Sequence, residues 1–330
     1  TFVEKGGYSQ MTKSEWTYAG LYSILAYIQF MLNEIDNAVK NAKIGYVLSK
    51  KGKDITLVVF NTIVYANTLI KQGDSIVAAK IIDELDNMMQ SKQIPYYLFL
   101  SLSAWKIDIL INQNQIEKAS GLIDNLDLGE DKKKTYAKEL IYIAYSRYLI
   151  TIFELAEAKR ILLQLLPPAI EGKRIERVIE INNLLAIQHK LVGESEKAIS
   201  YLSEAIFLAS DENLIMFFIL EGDNILDLLK EIRQRISTSK SNIPKKFLDN
   251  ILAAFELQEN KKLLNSSESL STREIDVLKL ISDDYSNQGI AEKLFVSINT
   301  VKTHVKNIHL KLEVQSRSKA VIKAKELGLL

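Results

Sequence analysis

The chain contains no cysteine, and only 13 glycines and 4 prolines punctuate its 330 residues. The first absence excludes disulfides, thiolate metal sites and a thiol nucleophile, and it accords with a cytoplasmic setting. The second argues against a sheet protein, whose hairpins need many more turn residues, so an all-α fold is expected. No apolar run approaches the ~18 residues that cross a bilayer, so no membrane partner is expected. There are three histidines, none beside a nucleophile phrase, and no carboxylate pair stands in an apolar setting. No catalytic residue is therefore assigned, and the chain is read as not an enzyme. The pattern G-x-x-x-x-G-K-[ST] is absent, so no cofactor is expected in this chain. Thr1-Phe-Val-Glu-Lys-Gly-Gly has neither an initiator Met nor a signal-peptide pattern, which predicts a piece trimmed from something longer. A net charge of +1 leaves partners to be read segment by segment.

What is present is a repeat. Glu34-Ile-Asp-Asn-Ala38, Asp74-Ser-Ile-Val-Ala78, Gln115-Ile-Glu-Lys-Ala119, Glu154-Leu-Ala-Glu-Ala158 and Glu194-Ser-Glu-Lys-Ala198 occupy equivalent places, with alanine spacings of 40, 41, 39 and 40. Gly73 and Gly193 stand five residues before their alanines, where a helix should end. Asn33 and Asn114, which tolerate a left-handed cap, replace glycine in two other repeats, and Phe153, which does not, weakens the fourth. Ala26, Ala66, Ser146 and Ala186 form a second small-residue series, broken by Lys106. Small residues at fixed places in both helices of a pair let helices approach closely, the signature of stacked helical hairpins. Pairs are predicted at 14–32 with 34–50, 55–72 with 75–90, 95–113 with 115–127, 135–152 with 154–166 and 174–192 with 194–210. A sixth, irregular pair covers 212–236. The pattern resembles a tetratricopeptide-like superhelix with an expanded unit.

The first helices of the pairs are rich in aromatics, among them Trp16, Tyr22, Tyr65, Trp105, Tyr142 and Tyr145. Tyr22, Tyr65, Trp105, Tyr142 and Tyr145 are candidates for a ligand groove on a concave surface; packing between helices is the plainer reading. Lys50-Lys-Gly-Lys53 and Lys132-Lys-Lys134 are read as solvated loops. Residues 237–246 lose periodicity. A helix follows with Phe247, Ile251, Leu252 and Phe255 on one stripe, and 256–269 is read as a flexible tether. The expected division is 1–236 for the superhelix, 237–269 for the helix plus linker and 270–330 for a last domain.

In that last segment Val301, Val305, Ile308 and Leu312 fall at i, i+4, i+7 and i+11, one apolar stripe on one helix. Lys302, Thr303, Lys306 and Asn307 fall on the other side, and no acidic residue lies between Asn299 and Leu312. Such a helix suits the major groove of DNA. Residues 270–330 hold ten Lys/Arg and seven Asp/Glu, a net of +3. Ser271-Thr-Arg-Glu274 fits a capping box opening a first helix that buries Ile275, Leu278 and Ile281. A second helix runs from about Asn287 to Leu294. After the turn Phe295-Val-Ser, a third starts at Ser297 as N-cap, and a fourth spans Arg317 to Leu327 with Gly328 closing it. His304 and His309, five apart, do not stack on one face, so they are read as packed or hydrogen-bonded and no metal site is assigned.

The run Leu270-Ser-Thr-Arg-Glu, Ser286-Asn, Ile290-Ala, Asn299-Thr-Val-Lys-Thr-His-Val-Lys-Asn-Ile, Lys311-Leu-Glu-Val, Arg317 and Glu326-Leu-Gly-Leu-Leu resembles the LuxR/GerE-type helix-turn-helix domain over its full length. The resemblance implies DNA base contacts by Lys302, Thr303 and Lys306, and phosphate contacts by Ser286, Asn287, Thr300 and Lys311. It implies a dimer contact through Ala320, Val321 and Ala324. The family usually has Gly where Asp284 stands and Lys-Glu where Gln288-Gly289 stands. With the superhelix before it, the chain resembles the C-terminal half of MalT-like regulators. That resemblance implies a bacterial transcription regulator binding double-stranded promoter DNA and self-associating on it. It also implies a small-molecule or peptide inducer at the superhelix, contact with RNA polymerase, and an upstream ATP-binding module. A helical-repeat adaptor with only accessory DNA contact is the alternative.

Overall fold

The computed structural model describes residues 18–90, 94–126, 128, 138–238, 243–268, 270, 272–294, 298–312, 314, 316–326 and 329. The expectations resting on Trp16, Lys132–Lys134, Ser271, Ser297, Leu327 and Gly328 lie outside these residues. Among them are helices and no strand. Five pairs run α1 (Tyr18–Met31) with α2 (Ile35–Ser49), α3 (Ile55–Gln72) with α4 (Ser75–Gln90), and α5 (Tyr96–Asn112) with α6 (Ile116–Asp124). The last two are α7 (Glu139–Thr151) with α8 (Leu155–Glu171) and α9 (Ile175–Leu191) with α10 (Ser195–Ser210). Then come α11 (Met216–Ile219), α12 (Asp223–Thr238) and α13 (Lys245–Glu268). The chain forms two compact units, 1–254 and 255–330.

One turn recurs inside every pair. Asn33, Gly73, Asn114, Phe153 and Gly193 have φ of 63°, 97°, 57°, 64° and 81°. In each, the next residue's amide bonds to the carbonyl five positions back: Glu34 to Gln29, Asp74 to Leu69, Gln115 to Leu110, Glu154 to Leu149 and Glu194 to His189, at 2.8–3.1 Å. This closes the helix with the left-handed cap that satisfies its last carbonyls. Phe153 adopts it despite its Cβ, with its ring 70% exposed. The five alanines that follow, Ala38, Ala78, Ala119, Ala158 and Ala198, are all buried.

Side chains also bond across one repeat length. The Tyr46 hydroxyl donates to Glu84 at 2.6 Å, Trp105 Nε1 to Asn67 at 2.7 Å and Arg147 Nη1 to Asp108 at 2.7 Å. Ser23 donates to Asn61 in the same way. Lys106, where the small-residue series breaks, is half-buried and paired with Asp86 at 2.7 Å.

Two expectations need correction. Helix α8 continues through Pro167 and Pro168 to Glu171 instead of stopping at 166. Proline removes an amide and crowds the preceding turn, yet Ala158, Ile161, Leu162, Leu165 and Ala169 form one buried stripe across it. Core burial outweighs the lost bonds. Residues 256–268 are helical within α13 rather than a tether. Their polar composition misled because it contains few strong helix breakers; Leu, Glu, Lys and Gln all favour helix.

The turn at Phe153 generates a prediction. A bulky L-residue in the left-handed region costs roughly 1–2 kcal/mol, and its exposed ring recovers little of that. Phe153→Gly should therefore raise unfolding stability by about 1 kcal/mol in urea titration. Asn114→Gly, at a residue that tolerates the conformation, should raise it by clearly less.

Candidate nucleic-acid interface

The second unit carries α14 (Thr272–Ser282), α15 (Asn287–Leu294), α16 (Ile298–Lys311) and α17 (Arg317–Glu326). The apolar stripe of α16 turns inward as its spacing requires: Val301, Ile308 and Leu312 are buried and Val305 is half-buried. They meet Val277, Leu278 and Ile281 of α14, Ile290 and Ala291 of α15, and Ala320 and Ala324 of α17 in one core. Val277, which the sequence reading passed over, is fully buried.

The opposite side of α16 exposes Lys302, Thr303 and Lys306 together. Lys302 and Lys306 flank a shallow depression lined also by Val305, His309 and Val314. Thr300 is half-buried on the first turn. Nothing acidic stands among these side chains, so this face presents two ammonium groups and a hydroxyl with no negative charge beside them.

Three locks hold that face in place, and sequence reasoning missed all three. Arg273 of α14 donates to the Leu294 carbonyl at 2.6 Å, satisfying the end of α15. Arg317, opening α17, donates to Asn287 Oδ1 at 3.0 Å and to the Tyr285 carbonyl. Lys311 Nζ meets Glu274 Oε2 at 2.9 Å, with the carboxylate side chain only 4% exposed. These pairs are separated by 21, 30 and 37 positions, so no local spacing announces them.

The start of α15 is built by Ser286, whose Oγ accepts from the Gly289 amide at 3.2 Å. That is an N-cap, and it leaves the hydroxyl proton directed elsewhere. The Arg317 donor occupies the Asn287 amide oxygen, so what Asn287 offers outward is its NH₂ group. Asp284, in the turn before it, has φ of 60°, which accounts for the glycine expected there. Gly289 has Tyr285 Cδ1 only 3.3 Å from where a Cβ would stand. The ring of Tyr285 also carries the Lys293 ammonium 4.2 Å above it.

Other expected site residues are placed differently. Ala320 and Ala324 are fully buried in their own domain's core and Val321 is partly buried there, so the two alanines present no surface to a partner. Ile322, 59% exposed, lies on the outer side of α17 instead. Lys311 is engaged with Glu274 rather than extended to solvent. The five aromatics of the candidate groove do not converge. Tyr65 and Trp105 belong to one core cluster and Tyr142 and Tyr145 to another. Tyr65 and Tyr142 are buried, Tyr145 stacks on Tyr148 at 6.3 Å, and Tyr22 is half-buried on α1.

Truncating Lys311 would leave the Glu274 carboxylate buried without its cation. Lys311→Ala should then destabilise the C-terminal unit by about 3 kcal/mol, measured as an earlier transition in denaturant unfolding of the full chain. Lys302→Ala, on the exposed face, should leave that transition in place.

The geometry agrees with the comparisons to known proteins. Residues 268–324 match the family described as bacterial regulatory proteins, luxR family, and residues 9–235 match the MalT-like TPR region. The HTH-type transcriptional regulator MalT of Vibrio cholerae is 26% identical over 330 residues, covering 93% of this chain and 36% of the relative. MalT of Serratia proteamaculans is 29% identical over 180 residues, 47% of this chain and 20% of the relative. MalT of Yersinia pestis is 30% identical over 174 residues, 46% of this chain and 18% of the relative. The chain thus covers between 18% and 36% of the length of these curated relatives. With the matched superhelix covering more than half of its residues, the chain belongs to the family of the MalT-like TPR region and carries a luxR-family regulatory domain at its C-terminal end.

Proposed function

We propose that the protein is a DNA-binding transcription regulator in which the superhelix receives a signal and the C-terminal domain delivers it to promoter DNA. The observation that carries this reading is the joint exposure of Lys302, Thr303 and Lys306 on a helix whose back is locked into a core. A reading helix must be rigid and must offer donors to base edges, and α16 meets both needs. The capped N-terminus of α15, with Ser286 and Asn287, suits phosphate oxygens, which favour helix N-termini and neutral donors. Lys311 is left out of this set because its ammonium already neutralises Glu274.

Two exposed lysines on the reading face supply limited affinity, so one domain alone would hold DNA weakly. Pairing of two copies on two half-sites compensates, and the exposed Ile322, flanked by Lys319 and Lys323, is the apolar point on α17 available for it. The inducer is read as a small molecule or peptide taken up by the superhelix, and RNA polymerase as the further partner on the promoter. Among the described residues no helix is long and apolar enough to cross a membrane, and we place this activity in the cytoplasm.

Fluorescence anisotropy with labelled promoter fragments across a salt series tests the reading. Lys302→Ala should cost about 1–3 kcal/mol on the preferred sequence and flatten discrimination at one base position. Ile322→Glu should remove cooperative occupation of paired half-sites while leaving single-site affinity. Equal, weak binding of every sequence by wild type and Lys302→Ala would sink the proposal and leave the superhelix as an interaction adaptor.

A further inference from the structure

A groove of about 540 Å³ opens between α8 and α10, with α9 as its floor. It is distinct from the aromatic positions on the first helices, and its volume falls in the ~300–1,000 Å³ range of ligand sites. Leu166 of α8, Val178 of α9 and Leu208 of α10 give it apolar walls. Ile170 and Ile175, 57% and 46% exposed, extend that surface to the rim.

Lys173, Asn182, Ser200, Tyr201 and Glu204 supply its polar groups. Asn182 lines the groove and is only 2% exposed. At the mouth stand Lys173 and Glu204, both exposed, and neither has an ion-pair partner among the described residues. Lys173 is held by the turn between α8 and α9, at φ of 53°, closed by the Arg174 amide bonding to the Ala169 carbonyl at 3.0 Å. One wall is fixed in advance as well. Tyr201 stacks on His189 with centroids 5.3 Å apart, and His189 Nδ1 is bonded to Glu194 at 2.5 Å.

We infer that this groove binds a short apolar peptide with free termini. A carboxamide donates and accepts at once, which complements a peptide group and no simple ion. Two unpaired side chains of opposite sign at one mouth match a zwitterion: the peptide's ammonium meets Glu204 and its carboxylate meets Lys173. The walls take aliphatic side chains, whose burial drives the association. The volume fits two or three residues and not a docked helix, whose recognition surface would be several times larger.

The inference deepens the reading of the superhelix as a sensor and rests on it only for its regulatory consequence. Isothermal titration calorimetry of the full chain with trileucine provides the test. Saturable binding is expected, weakened at least about tenfold when the same peptide is N-acetylated and C-amidated. Lys173→Gln and Glu204→Gln should each weaken it several-fold. Asn182→Leu should abolish it while the thermal midpoint stays where it is, because the carboxamide bonds the peptide and not the fold. A purely structural Asn182 would instead lower the midpoint. Absence of binding at millimolar peptide, equal binding of the capped peptide, or undiminished binding by Asn182→Leu would each overturn the proposal. Promoter anisotropy with and without trileucine separates the two claims. Binding without any effect on DNA affinity leaves the groove standing and removes the sensor. A different inducer acting equally on wild type and Asn182→Leu does the reverse.

Discussion

Close approach of two helices at one alanine is the constraint on which the larger unit depends. Ala38, Ala119, Ala158 and Ala198 have no accessible surface and Ala78 has almost none. Any larger side chain there would drive the pair apart and break the register of the next pair, because protein interiors do not absorb added volume cheaply. The left-handed turn five residues earlier follows from it. To bring the second helix back against the first within two or three residues, the chain must reverse sharply, and a positive φ achieves this. The fourth repeat accepts a phenylalanine in that conformation because the packing behind it, from Ile141 through Leu165, is among the most completely buried in the molecule. Strain of that kind persists only where surrounding structure over-determines it.

The C-terminal unit solves a different problem with other means. It is too small to fix α16 by apolar burial alone, since small domains bury a modest share of their surface. The apolar stripe sets which way α16 faces, but a stripe permits sliding along the helix axis. Directional contacts at the ends remove that freedom: Glu274 with Lys311 at the far end of α16, Arg273 at the end of α15, and Arg317 at its start. Lys311 is largely covered by its lock, and the lysines left exposed on the outer face of α16 are Lys302 and Lys306.

Periodic features of this protein were legible in its residues and non-periodic ones were not. Repeat spacing, the sharp turn inside each pair and the inward stripe of α16 all arise from local backbone geometry, which sequence spacing encodes directly. The exposed cationic face followed from the same periodicity. Contacts between residues tens of positions apart leave no such trace, so Lys311 read as a solvent-facing cation and Ala320 and Ala324 as a surface. A small apolar residue on a short helix fits a core and an interface equally well; burial alone distinguishes them. The end of α13 was lost for the opposite reason. Polar residues of good helix propensity carry no periodic signal, so composition suggested a tether where the backbone continues as helix. The groove lined by Asn182 was also hidden, because its walls come from three helices.

Long-range polar contacts also change how the superhelix responds as a whole. In a simple stack each repeat touches only its neighbours, and a perturbation fades along the row. Here Arg147 lies between Asp108, one repeat before it, and Glu221, 74 positions ahead in the turn before α12, at 2.7 Å from each. Burial pushes the Asp108 carboxyl above its usual range while Arg147 opposes the shift. The Arg147 guanidinium and the Glu221 carboxylate are largely shielded from water and rely on each other for solvation, while Asp108 keeps contact with it. Tyr27 of α1 reaches further still and donates to Glu176 of α9 at 3.0 Å across 149 positions. Burial, reinforced by the nearby carboxylates, holds its phenol protonated well beyond the ordinary range. The first and fifth pairs are therefore coupled directly. A ligand seated between α8 and α10 would press on α9, and α9 carries Glu176. The Tyr27–Glu176 bond spans in one step what the row of pairs spans in four.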